Sequence, residues 1–160
     1  MKEFTASFTY KVYDSPDELN KQDNELILRA ISQLENAYAP YSNFQVGASA
    51  RLANDEIFIG SNQENASYPL CMCGERVALY NAAANRPGIP VKKLAIVIRN
   101  PRMYIDKPVS PCGACRQVIA EYENLHKTPI KIFLKSDAPE VYEISSIKDL
   151  LPLGFDSSFL

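Results

Sequence analysis

YPLCMCGERVAL, residues 68–79, carries two cysteines separated by one residue and a glutamate two positions after the second. The chain has four cysteines, and the other two stand in SPCGACRQV, residues 110–118, as Cys112 and Cys115. Cys73 falls at the predicted start of one helix, about 73–85, and Cys112 and Cys115 at the start of another, about 113–123. A helix N-terminus or a bound metal lowers the pKa of a thiol from its usual ~8.5. Three thiolates converging from two helix ends would bind Zn²⁺ and leave one coordination position open, which is what separates a catalytic zinc from a structural one. Glu75 follows Cys73 closely enough to move protons at that open position. A second reading of the same residues stays open. All four cysteines can form a closed site with Glu75 solvated on its helix, although Cys71-Met72-Cys73 is tighter than the spacing of two to four usual in structural sites. A third reading leaves them as free thiols.

Around this cluster the chain reads as one α/β domain. Its 160 residues can bury a single substantial core, and 46% hydrophobic with 22% charged residues is ordinary for a globular protein. LAIVIR (94–99) is β-branched and apolar, as a buried central strand requires, and IKIFL (130–134) reads as another strand. Two further strands are expected near 45–53 and 56–60, joined by an Asn54-Asp55 turn. Leu26, Ile27, Ala30, Ile31, Leu34 and Ala37 recur at helical spacing, predicting a helix over about 24–38 that Pro40 ends. In FTASFTYKVY, residues 4–13, Phe4, Ala6, Phe8, Tyr10 and Val12 alternate, so an extended arm or edge strand is expected over the first twenty residues, with the domain proper in 21–160. The tail reads as a short helix and an aromatic extension. Strands alternating with helices predict helices covering a sheet of about five strands.

Composition also excludes some functions. With 17 basic and 19 acidic residues the net charge is −2, which gives no general attraction to nucleic acid. No segment reaches the ~18 apolar residues of a membrane span, and the first residues show no apolar block of signal-peptide length. A cytoplasmic setting is expected, where a C-x-x-C pair serves as thiols or metal ligands rather than a disulfide. The only histidine, His126, has no metal-ligand spacing to either cysteine group.

Cys73-Gly74-Glu75 followed by Pro111-Cys112-Gly113-Ala114-Cys115 matches the zinc-deaminase pattern, in which the glutamate is not a ligand. Read with it, YAPYSNFQVGA (38–48), GSNQENASYP (60–69) and LLPLGF (150–155) make the chain resemble the cytidine deaminase family, in its small homotetrameric branch. The resemblance implies a three-layer α/β/α fold with a mixed sheet, one zinc per subunit and hydrolytic deamination of cytidine and deoxycytidine in pyrimidine salvage. It implies Cys73, Cys112 and Cys115 as ligands, Glu75 as proton shuttle and Arg76 as the group offsetting thiolate charge, with Arg116 a second candidate. Phe44 would pack on the base, Gly74 would meet it through its backbone, and Asn62 and Glu64 would hydrogen-bond the ribose. Ala66, Tyr68 and Phe155 would come from neighbouring subunits of the tetramer. Gly74 stands where the family commonly has alanine, and Gln63 replaces a usual apolar residue. A blasticidin-type deaminase, acting on a cytosine nucleoside antibiotic, is the rival within the same fold. A non-enzymatic module with a structural four-cysteine zinc site is the rival outside it.

Overall fold

A computed structural model describes residues 1–160. Six strands form one mixed sheet: β1 (Lys11–Tyr13), β2 (Gln45–Leu52), β3 (Ile57–Ser61), β4 (Val91–Arg99), β5 (Lys131–Lys135) and β6 (Val141–Ile144), in spatial order β1-β6-β5-β4-β2-β3. Only β4 and β5 run parallel. The crossover between them carries α3 (Gly113–His126); α1 (Lys21–Ile31) and α2 (Gly74–Asn85) complete the helices. No helix is long and apolar enough to cross a membrane.

Side-chain alternation sorts the sheet's two faces and makes the three layers. Ala95 and Val97 of β4, Phe133 of β5 and Val141 of β6 pack under α1 with Leu26, Ile27 and Ala30. The intervening residues, among them Ala48, Leu94, Ile96, Ile132 and Ile144, pack on the opposite face with Ala78 and Leu79 of α2 and Ile119 of α3. Two glycines let the helices lie directly on the strands. A Cβ on Gly47 would sit 2.0 Å from the carbonyl oxygen of Ala30, and one on Gly60 would sit 2.4 Å from the amide nitrogen of Ala78. Any side chain at either position would push α1 or α2 off the sheet.

Most elements agree with the sequence reading, with four differences. The sheet has six strands rather than five, because VYEI (141–144) forms β6. The first helix begins at Lys21, where the Asn20 side chain caps the amide of Asp23 at 3.0 Å, and it ends at Ile31 instead of running to Tyr38. Of the arm, only Lys11–Tyr13 pairs as a strand. The tail helix is reduced to single 3-10 turns at Ile147–Asp149 and Ser157–Phe159. The expected turn at Asn54-Asp55 is present: Asp55 takes φ 67°, a left-handed conformation that aspartate tolerates in a tight hairpin.

Candidate functional site

The two central helices begin side by side at the carboxyl end of β4, and each has a cysteine in its N-cap position. Cys73 precedes α2 and Cys112 precedes α3, and neither side chain caps its own helix. Both sulfurs are therefore left to face each other where the helix dipoles favour negative charge. Cys115, buried in the first turn of α3, supplies the third sulfur, and the three lie within 4.8 Å of one another. The Cys73–Cys112 separation is 3.9 Å and the Cys112–Cys115 separation 3.5 Å. Bonds of ~2.3 Å to a tetrahedral zinc would set sulfurs about 3.8 Å apart. The triangle fits such an ion, while disulfide bonding needs about 2.05 Å.

Cys71 stands outside the triangle. Its sulfur accepts the amide of Asn65 at 3.2 Å, which holds the 65–71 turn closed. Cys73, Cys112 and Cys115 are thus a three-sulfur set, and the four-cysteine alternative has no geometric support here. His126 also lies elsewhere, at the last turn of α3 in a groove against α2.

Electrostatics separates Cys73 from Cys115. Hydrogen bonding from Cys115, with further help from Arg76 and Cys112, pulls the Cys73 thiol down to about 5 against the opposing effect of burial. Cys115, hydrogen-bonded to that thiolate and buried, is pushed well up instead. Arg76 donates to the Cys73 sulfur at 3.7 Å and to the Cys71 carbonyl at 3.4 Å, which puts its positive charge beside the thiols.

Glu75 follows in the first turn of α2 and is 5% exposed. Its Oε2 is buried with no hydrogen-bond partner, a costly state for a carboxylate that has no work to do. Burial pushes its carboxyl up to about 7, with the neighbouring Cys73 charge adding to the shift. Glu75, Cys73 and Cys112 line one cavity of about 410 Å³ together with Phe44, Asn62 and Glu64. That is a volume suited to a small ligand. Its walls are largely apolar, with Val46, Ile96 and Ile98 at the base.

Opposite the thiols, two crossing segments are laced together. Asn62 accepts the Val46 amide at 2.8 Å and donates to the Phe44 carbonyl at 2.8 Å, which fixes the backbone just after the aromatic ring. Glu64 accepts the Tyr41 amide at 2.9 Å, the Ser42 amide at 3.3 Å and the Ser42 hydroxyl. Burial alone would raise the Glu64 pKa, but these donors outweigh it and hold the carboxyl below its ordinary value. Asn43, in a left-handed turn at φ 57°, lets the chain reverse between them. Gly74 allows this wall to approach α2, since a Cβ there would meet the Val46 carbonyl at 2.8 Å.

The fold gathers nine of the twelve candidate residues in this region: the three thiols, Glu75, Phe44, Asn62, Glu64, Gly74 and Arg76. Ala66, Tyr68 and Phe155 are exposed and line no part of this cavity within the chain. Ser42, Met72, Val109 and Ser110 line it and were not anticipated. Ser42 and Ser110 lie inside the motifs already noted, so position within a motif was the available signal.

A family model for the cytidine and deoxycytidylate deaminase zinc-binding region matches residues 20–130. A cytidine deaminase of Halalkalibacterium halodurans is 42% identical over 130 residues, 81% of this chain and 91% of that protein. One from Sporosarcina psychrophila is 38% identical over 137 residues, 85% of this chain and 93% of that protein. The crystal structure of a cytidine deaminase from Burkholderia pseudomallei superposes with a TM-score of 0.71 at 41% identity, covering 82% of this chain and 97% of that one.

Proposed function

The chain belongs to the cytidine and deoxycytidylate deaminase family, and on that premise we propose that it hydrolyses cytidine and deoxycytidine to the uracil nucleosides and ammonia. The observation that carries the reading is Glu75. Glu75, one carboxylate oxygen of which is buried without a partner, lines the same cavity as Cys73 and Cys112 of a zinc-sized triangle. Cys73, Cys112 and Cys115 would hold one zinc per subunit, whose Lewis acidity makes water a nucleophile near neutral pH.

Glu75 takes one proton from the attacking water and delivers it to N3 of the base, which makes C4 electrophilic. The water oxygen bonds to C4. Glu75 then carries the second proton to the exocyclic amine, the C4–N bond breaks, and ammonia leaves as C4 becomes a carbonyl. One carboxylate serves as base and then acid, and its raised proton affinity suits both halves. Phe44 stacks on the base, with the Gly74 backbone beside it. Asn62 and Glu64 face the ribose: the carboxylate retains acceptor capacity and the amide one N–H beyond the bonds that brace them. Arg76 offsets the excess negative charge of three thiolates around a divalent ion.

The open side of the cavity supports a homotetramer in which Ala66, Tyr68 and Phe155 serve a neighbouring subunit's site. Tyr68 is 68% and Phe155 57% exposed, which leaves both free to reach a neighbouring subunit's site. Residues 1–20 are read as an arm appended to a catalytic domain spanning 21–160, since α1 starts at Lys21 and the family match at 20. Four free cysteines agree with a cytoplasmic setting, and deamination of free cytosine nucleosides would serve pyrimidine salvage.

Ammonia release from a panel of cytidine, deoxycytidine, free cytosine and a cytosine nucleoside antibiotic, read beside zinc content, tests the proposal. Turnover of both nucleosides by protein with one zinc per chain is expected. Zinc-replete protein that releases ammonia from neither would overturn it, and turnover of the antibiotic alone would transfer the reading to the analogue-specific branch. Sedimentation of the same sample decides the tetramer.

A further inference from the structure

Arg116 directly follows the third thiol, yet its guanidinium is directed at backbone and hydroxyl oxygens. Nε donates to the Pro111 carbonyl at 2.7 Å, Nη1 to the Leu150 carbonyl at 2.8 Å and Nη2 to the Ser110 hydroxyl at 2.7 Å. The planar fork of arginine suits three acceptors in fixed directions, and a lysine ammonium cannot reproduce that geometry. Two of these acceptors immediately precede Cys112, and Ser110 itself lines the cavity. The third belongs to the segment LLPLGF, residues 150–155.

Pro108 and Pro111 bury the loop that Arg116 grips, but hydrogen bonding gives it no other anchor. Residues 106–111 connect Ile105, anchored by Asp137 at 3.0 Å, to the N-cap of α3. The hydrogen bonds made to those residues are the two from Arg116. Much of the surrounding stretch is exposed, including Tyr104 and Val109. Cys112 is likewise exposed, whereas Cys115 is buried. Cys112 thus takes its place from two sides: its carbonyl accepts the Arg116 amide at 2.9 Å within α3, and the two residues before it are held by the Arg116 side chain. The tail is held from the same helix at a second point, where Gln117 donates to the Phe155 carbonyl at 2.9 Å.

We propose that Arg116 is a positioning residue for the metal site: one guanidinium pins the loop presenting Cys112 and ties it to the C-terminal segment, so metal retention and tail order are coupled. The metal half rests on the three-thiol zinc reading above; the mechanical half does not.

The test uses the full-length zinc-loaded protein with two readouts, zinc release to excess chelator and backbone order parameters from NMR relaxation. Arg116→Met is expected to release zinc about 10–100-fold faster, the range for losing a group that orients a ligand. Order parameters are expected to fall together in 106–113 and 150–155. Arg116→Lys keeps the charge without the fork and is expected to restore neither segment. Gln117→Ala is expected to loosen only the stretch around Phe155 and leave zinc release unchanged. Unaltered order parameters at 106–113 in Arg116→Met, or full restoration by Arg116→Lys, would overturn the proposal. Should Arg116→Met not fold, Ser110→Ala decides: lower order parameters at 106–113 without change at 150–155 support the clamp, and no change refutes it. Protein that never holds zinc defeats the metal reading alone, since the order parameters still report on the clamp.

Discussion

The two walls of the cavity are finished to different degrees. On the thiol wall, helix starts fix Cys73, Cys112 and Cys115, Arg76 supplies charge and Glu75 is buried against them, all within one chain. The facing wall is made of loops. Asn62 and Glu64 are braced by Phe44, Ser42 and Tyr41, but Tyr41 and Tyr68 pack edge-on with centroids 6.0 Å apart and remain largely exposed. Phe155 stacks on Phe159 at 5.9 Å instead of reaching the cavity. Bond-making groups tolerate little misplacement, so they sit on rigid elements. Sugar recognition can be shared with a neighbour.

The sharpest way to break this division is Glu75→Gln, which removes the proton carrier and keeps the shape. Turnover is expected to fall by about 10²–10⁴, the usual contribution of a positioned acid–base group, while zinc content stays unchanged. Ammonia release within tenfold of the parent would move the chemistry off this wall. Next in size, Cys115→Ser is expected to weaken zinc binding beyond the ~10–100-fold that outer-shell changes cause, with activity lost in parallel. Cys71→Ser is expected to keep both, because that sulfur is engaged by Asn65. Equal zinc loss from the two variants, measured by chelator titration, would restore a four-sulfur site.

Glu64→Gln probes the loop wall. A hydrogen bond to a charged group is worth about 1.5–3 kcal/mol, so KM for cytidine is expected to rise roughly 10–100-fold, with kcat little changed. Binding of free cytosine, which has no sugar, is expected to be unchanged. The donors around Glu64 hold its pKa below the ordinary carboxylate value, so this carboxylate contributes no change of charge across neutral pH. An equal loss of binding for the free base, measured by competition with cytidine, would place Glu64 in the support of Phe44 instead.

The same division governs what was legible in the sequence. The thiols and Glu75 were readable because metal chemistry demands particular residue types at particular spacings, and helix starts were marked by the onset of periodicity. Packing partners of generic type were not. Ser42 and Ser110 work by braces that cross the chain, from Glu64 and Arg116, and no local pattern signals a brace. The Asn20 cap on Asp23 starts α1 in the fold, but the polar KQD at 21–23 hides this first turn from an apolar count. Strand β6 was missed because four residues, VYEI, are too short to show alternation, and its Glu143 reads as a solvent-facing residue. In the fold it is 4% exposed.

Glu143 gives the smallest effect and the control for the comparison, because it belongs to neither wall. On the α1 face it accepts Lys11 at 3.1 Å and Tyr13 at 2.9 Å from β1, and it pairs with Lys131 of β5 at 3.2 Å. Burial would raise its pKa, but Lys11, Tyr13 and Lys131 together outweigh that and hold it below the ordinary carboxylate value. A depressed folded-state pKa gives stability that is present above the unfolded value, ~4.3, and is lost as pH falls through the folded one. Glu143→Gln is therefore expected to cost about 1 kcal/mol at neutral pH, or ~2–4 °C in Tm, and the deficit is expected to shrink as pH drops below the carboxylate range. Lys11 is largely exposed and can find water instead, which keeps the loss small. Urea unfolding at several pH values measures it, with zinc content and KM expected to stay at parent values. A change in either would mean that the edge strand reaches the active site after all, and that the two walls share a support on the far face of the sheet.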